Sequence, residues 1–273
     1  MNLPRVPMPC AKHIACGAAN PLPLMYILYV LWLRQVKRYL RSRARIIGSL
    51  GQPILFLFAL GFGLGPSFSA THGGQDYMSF IAPGIIAMSI LFTAMFSGIE
   101  IIWDRQFGFL KETFVAPVSR LTIMTGRTIG GATVALLQGC IVFVIAIIGG
   151  FRPETPSLLP LAFIVMFLIA LTFTALGTAV ACRLEDMQGF QLIMNFLIMP
   201  LFFLSGALFP IDQLPHVLSL LVHANPLTYG VDALRSALID GGHFSLQLSL
   251  RILVCAMSLF LAVGSWLFST MEL

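Results

Sequence analysis

Six apolar runs, each free of Asp, Glu, Lys and Arg, limit what this chain can fold into: Ile46 to Gly65, Phe80 to Ile99, Ala132 to Gly150, Leu158 to Cys182, Met187 to Ile211 and Ile252 to Met271. A hydrocarbon core about 30 Å thick asks for roughly 20 apolar residues per helix. A charge at the helix centre costs roughly 2.5–3.5 kcal/mol on insertion scales. Runs of this length and purity therefore predict six transmembrane helices. The chain of 273 residues is 58% hydrophobic and 10% charged, which excludes a single water-soluble domain. Pro53 and the glycines at 61, 63 and 65 do not disqualify the first run, because neighbouring helices satisfy the backbone groups that such residues free.

The basic residues set the expected orientation, since Lys and Arg in short flanking loops stay on the cytoplasmic side. Of the 16, only Arg152, Arg235 and Arg251 fall on the face opposite the N-terminus. An even number of spans then returns the C-terminus to the cytoplasm with the N-terminus. The net charge of +5 is not read as nucleic-acid binding: most of the excess crowds immediately before the first span, at Arg34, Lys37, Arg38, Arg41, Arg43 and Arg45, where anionic lipid head groups are the nearer partner. Residues 1–23 are expected to form a flexible leader, and the cationic block follows the apolar stretch Leu22 to Leu33, the reverse of a signal peptide. The five cysteines include no CxxC pair and imply no disulfide framework. Cys10, His13 and Cys16 are too loosely spaced for a metal site.

Three non-spanning segments stand out. Between Leu28 and Arg45, Leu28, Trp32, Val36 and Tyr39 share one helical face and Arg34, Lys37, Arg38, Arg41 and Arg45 the other, which predicts an amphipathic helix at the interface. Glu100 to Arg120 carries Trp103, Phe107, Leu110 and Phe114 at intervals of a helical turn, with Asp104, Arg105, Lys111 and Glu112 opposite. Pro117 ends that helix and Ser119 offers an N-cap for the next. Such a stripe suits either a connector skimming the membrane or a docking element gripped by a soluble protein. Finally, Pro215, Asn225 with Pro226, and Gly241 with Gly242 divide the stretch after the fifth span into two helices too short to cross, Leu214 to His223 and Leu227 to Ile239, with Asp232 and Arg235 placed to pair. Gly126 and Gly130 in GxxxG spacing leave two readings open, close packing within the bundle or a seam between copies.

The chemistry that is missing is informative. No span centre holds an ionisable residue, so no proton or ion relay is visible; Glu100 and Arg127 sit at cytoplasmic span ends, where they can pair with each other. The five histidines are scattered, and there is no HExxH, GxSxG or GxxxxGK[ST] sequence. Neither catalysis nor nucleotide binding has a site, so any ATP must be hydrolysed by another chain.

The stretches FIAPGIIAMSILFTAMFSGIEIIWDRQFGFLKETFVAPVSR (Phe80 to Arg120), FLSGALFPIDQLP (Phe203 to Pro215) and NPLTYGVDALR (Asn225 to Arg235) resemble the permease subunits of type-2 ATP-binding-cassette exporters, in the branch of nodulation-factor and daunorubicin-type drug exporters. The resemblance covers roughly residues 25 to 273 and implies an all-α, six-span membrane domain over 24–273. It implies a unit of two permease copies, a homodimer, with two cytoplasmic ATPase subunits that carry ATP and Mg while this chain binds no cofactor. Trp103, Phe107, Leu110, Lys111, Glu112 and Phe114 would form the coupling helix seated on the ATPase. Spans one, two and five would line the path with Phe56, Phe58, Phe92, Met95, Phe96, Asn195, Phe196, Met199 and Phe202, a lining suited to an amphipathic cargo such as a drug, glycolipid or oligosaccharide. Packing or lipid contact accounts for any one of these side chains equally well, and a stand-alone transporter or channel, or a membrane-embedded assembly factor, remains a rival class. Purified alone, the chain is expected to bind no ATP in equilibrium dialysis, whereas binding at micromolar ATP would contradict the missing phosphate loop.

Overall fold

The structure is a computed structural model that describes residues 24–71, 77–108, 119–209, 215–239 and 241–270. Every regular element among them is helical: α1 (Leu24–Arg41), α2 (Arg43–Thr71), α3 (Tyr77–Phe96), α4 (Ile99–Gln106), α5 (Arg120–Ile148), α6 (Leu159–Ala181), α7 (Met187–Phe203), α8 (His216–Ala224), α9 (Pro226–Ile239) and α10 (Leu246–Ser269). The expected leader, 1–23, with Cys10, His13 and Cys16, lies outside the described residues.

Five segments are long and apolar enough to cross a membrane: Arg43–Gly63, Tyr77–Gln106, Leu121–Ile148, Pro156–Ala181 and Leu246–Ser269. The chain is thus a multi-pass, all-α membrane protein. Two expected boundaries move. The third helix begins at Arg120, not Ala132, with Ser119 as its N-cap accepting from Thr122 N at 3.2 Å, so Arg127 lies two turns inside a helix. The fifth helix stops at Phe203, short of Ile211, because the chain turns at Leu204 to Gly206, where Gly206 adopts a left-handed φ of 70°. The two short helices expected after it are present as α8 and α9.

α3 is the axis of the bundle. It packs on α2, α5, α6, α7 and α9, and Ile81 to Leu91 is buried without interruption. A helix apolar on all sides belongs in such a position. α2 and α10 are mostly uncovered, as lipid-facing helices are. α1 packs along α5, the strongest pairing after α6 with α10. Gly126 leaves room for Leu28 and Leu31, and Gly130 for Gln35, so the GxxxG face is filled by α1 of the same chain. Trp32 Nε1 donates to Thr133 Oγ1 at 3.0 Å, and Tyr39 OH to Gln138 Oε1 at 2.5 Å, completing a parallel register.

The segment NPLTYGVDALR owes its polar residues to architecture. Asn225 Nδ2 donates to the Leu201 carbonyl at 2.7 Å while its Oδ1 accepts from Leu227 N at 3.0 Å, fastening α9 to the end of α7. The expected Asp232 and Arg235 pair does not form. Asp232 accepts the amides of His243 and Phe244 at 2.6 and 3.0 Å, and Arg235 donates to the Gly206 carbonyl at 3.1 Å with its guanidinium 4.1 Å over the Phe80 ring. Satisfying the turns on either side of α9 takes both side chains away from each other.

Where α3 turns into α4, the backbone of Gly98 meets that of Gly177 on α6, and a Cβ on either would collide with main chain. Gly177→Ala is expected to cost about 1–3 kcal/mol, an overpacking penalty, and to lower the thermal unfolding midpoint in detergent. Gly63→Ala, at a site with nothing within 4 Å, should leave the midpoint unchanged or raise it.

Candidate functional site

α4 continues the second span past the turn at Ser97 and Gly98. Its spacing puts Glu100 and Asp104 one turn apart on one face. Sequence periodicity assigns Asp104 to a polar face, but the structure buries it to 3% exposure, because the arginine face of α1 closes over it. Arg34 of α1 reaches Asp104 Oδ1 at 3.0 Å, and Arg127 of α5, itself 4% exposed, reaches Oδ2 at 2.6 Å. Glu100 lies 3.6 Å from both Arg38 and Arg45. The expected Glu100 and Arg127 pair is therefore replaced: Asp104, a turn further along, lies nearer the Arg127 guanidinium. Arg105 and Gln106 extend the network to Glu185, at 2.9 Å to its carboxylate and 3.0 Å to its carbonyl, tying α4 to the loop before α7.

The result is a clamp in which three helices and one loop hold a short helix by charge. Asp104 carries it: the buried Arg127 is its main counter-charge, and the part-exposed Arg34 adds a second, weaker one. Beyond it, Trp103 and Phe107 form an edge-to-face pair with ring centroids 6.3 Å apart, exposed at 39% and 66%. α4 ends at Gln106, and Phe107 caps it. Leu110, Lys111, Glu112 and Phe114, the rest of the expected coupling helix, lie outside the described residues.

Beside the clamp, α1, α2, α3 and α5 enclose a cavity of about 320 Å³. Pro53, Met88, Phe92, Phe96 and Val134 form its apolar wall, and Gln35, Tyr39, Arg45, Ser49, Gln52 and Glu100 its polar end. Of the expected path residues, the structure brings Phe92 and Phe96 into this cavity, stacked at 6.5 Å, with Phe96 edge-on to Phe190. Met95 and Phe202 are buried in the helix core. Asn195, Phe196 and Met199 face outward on α7, with Phe196 82% exposed. Phe56 and Phe58 are half-buried on α2. Among the described residues no cluster of His, Cys, Asp and Glu could hold a metal ion.

Asp104 and the cavity escaped sequence reading, although one signal was available: two acids four residues apart, in a chain whose preceding helix shows one arginine-rich face.

Comparison of the sequence with known proteins finds relatives along most of the chain. The sequence pattern described as "ABC-2 type transporter" matches residues 26–239. The chain is 32% identical over 260 residues to Nodulation protein J of Sinorhizobium fredii (strain NBRC 101917 / NGR234), covering 93% of this chain and 96% of the relative. It is 32% identical over 229 residues to Nodulation protein J of Rhizobium leguminosarum bv. trifolii, covering 83% of each. A protein of Cyanophora paradoxa named as a transport permease, ycf38, is 27% identical over 255 residues, 88% of this chain and 87% of its own.

Asp104→Asn is expected to cost about 3–5 kcal/mol, because it leaves the Arg127 charge buried and uncompensated. Arg34→Gln, at a side chain 41% exposed, should cost under about 1 kcal/mol. Thermal unfolding of both variants in the same detergent checks the ranking.

Proposed function

The chain belongs to the ABC-2 type transporter family, and on that premise we propose that it is the permease subunit of an ATP-driven exporter, moving an amphipathic or lipid-linked cargo outward across a bacterial cytoplasmic membrane. Two copies of the chain form the conduit, and two copies of a cytoplasmic ATPase carry ATP and Mg. Both termini lie on the ATPase side.

The observation that carries this reading is the exposed aromatic pair Trp103 and Phe107 at the C-terminal end of a helix whose acids are buried against arginines. Exposed aromatic pairs beside charged residues are the usual anchors of a protein interface. Because Asp104 fixes α4 to α1 through Arg34 and to α5 through Arg127, a push on the aromatic end moves spanning helices as a lever would. Span centres without acids or bases, whose charges gather at one end, offer no proton or ion relay across the bundle, which supports an energy source outside the chain. Residues 111 and 112 would lie at the rim of the contact. The outward-facing Asn195, Phe196 and Met199 are available to the path between two permease copies, and Phe92 and Phe96 to cargo reaching it from within the bundle.

Co-reconstitution with candidate ABC ATPases from the same organism tests the proposal. Phe107→Asp, on the surface, should lower permease-stimulated ATP hydrolysis by about tenfold or more while leaving expression intact, the loss typical of an aromatic interface anchor. Uptake by vesicles holding only this chain, driven by an ion gradient, would instead establish a stand-alone transporter.

A further inference from the structure

The cavity beside the clamp has a composition that selects a ligand. In the clamp beside it four guanidinium groups, Arg34, Arg38, Arg45 and Arg127, face two carboxylates, Glu100 and Asp104, an excess of two positive charges, and of these groups Arg45 and Glu100 line the cavity. Asp104 is fully engaged by two of the four. Glu100 is shared between Arg38 and Arg45 at 3.6 Å, too far for a hydrogen bond to either, so both keep donors free. Arg45 lines the cavity with its side chain 42% exposed. At the same end Gln35, 9% exposed, lines the cavity and adds an amide to its polar end. The walls below are Phe92, Phe96 and Val134, and the volume of about 320 Å³ falls at the small end of ligand clefts.

The mouth lies on α2. Gly48 lines the cavity and is itself exposed, and a Cβ there would meet nothing within 4 Å. Its neighbour Ile47 is 71% exposed on a helix that spans the membrane. The opening therefore faces lipid at the charged end of the span, the depth of one leaflet's head groups.

We infer that this cavity binds an anionic phospholipid from the surrounding leaflet, with the phosphate against Arg45 and Gln35 and one alkyl chain along Phe92, Phe96 and Val134. Excess guanidinium charge favours an anionic over a zwitterionic head group. The apolar wall requires a chain and gives nothing to a free phosphate. A bound lipid would close the space between α1 and α2 directly beside the clamp on α4, so its occupancy would stiffen the root of that helix. Phe92 and Phe96, available to cargo in the proposed function, here hold the chain of a resident lipid, and retention of that lipid by the chain alone, without ATPase or cargo, does not depend on the direction of transport.

Native mass spectrometry of the full-length chain, delipidated and then titrated with dioleoylphosphatidylglycerol or dioleoylphosphatidylcholine, tests it. One phosphatidylglycerol per chain should be retained with roughly tenfold preference over phosphatidylcholine, the ratio expected of a charge-assisted hydrogen bond. Arg45→Gln should reduce that preference to near unity without loss of folding, since Glu100 keeps Arg38. Gly48→Leu, which fills the mouth and favours helix, should abolish retention of both lipids. Equal retention of the two lipids by the unaltered chain would overturn the inference, as would retention unchanged by Gly48→Leu. Displacement of the lipid by millimolar inorganic phosphate would also overturn it, because the alkyl chain would then contribute nothing.

Discussion

A buried carboxylate held by two arginines organises the charged end of this molecule. Asp104 has almost no contact with solvent, and in a low-dielectric surrounding its charge is tolerable only among counter-charges, Arg127 buried beside it and Arg34 at the solvent edge. That requirement determines where α1 lies, since Arg34 must reach across to α4. It also determines where α5 starts, since Arg127 must sit inside a helix that begins at Ser119. A connector of eight residues thereby becomes rigidly joined to the helices around it.

The rest of the bundle follows from close approach and from fastening backbone at turns. Small residues let helices meet main chain to main chain at Gly98 and Gly177, and let α1 lie flat on Gly126 and Gly130. Polar side chains in the second half of the chain are spent on loose ends: Asn225 closes the gap after α7, and Asp232 caps the turn after α9. Within a bilayer there is no water to satisfy those groups, so their partners must come from the protein. Together these contacts join a surface helix rigidly to the spanning helices.

Some of this was legible in advance. The apolar runs gave their helices because length and charge exclusion are local properties, and the amphipathic faces of α1 and α4 could be drawn from spacing alone. The N-cap at Ser119 was equally local, needing only its own next turn. What could not be read were the partners. Asp104 lay on a polar stripe of an amphipathic helix, and its burial came from Arg34, 70 residues away in sequence, and Arg127, 23 away, whose long side chains have several acids within reach. Glu100 and Arg127 were near enough to suggest a pair, yet one helical turn redirected Arg127 to Asp104.

By itself the sequence determined a multi-pass helical membrane protein with its charge gathered at span ends, because hydrophobic burial in a bilayer depends on composition and periodicity, which are properties of each segment in isolation. Only the tertiary structure decided which charges neutralise which, that the GxxxG face of α5 is occupied by α1, and that a cavity with surplus positive charge opens beside the clamp. Those outcomes depend on distances of a few ångströms between segments far apart in the chain, and coulombic and packing energies change steeply over that range.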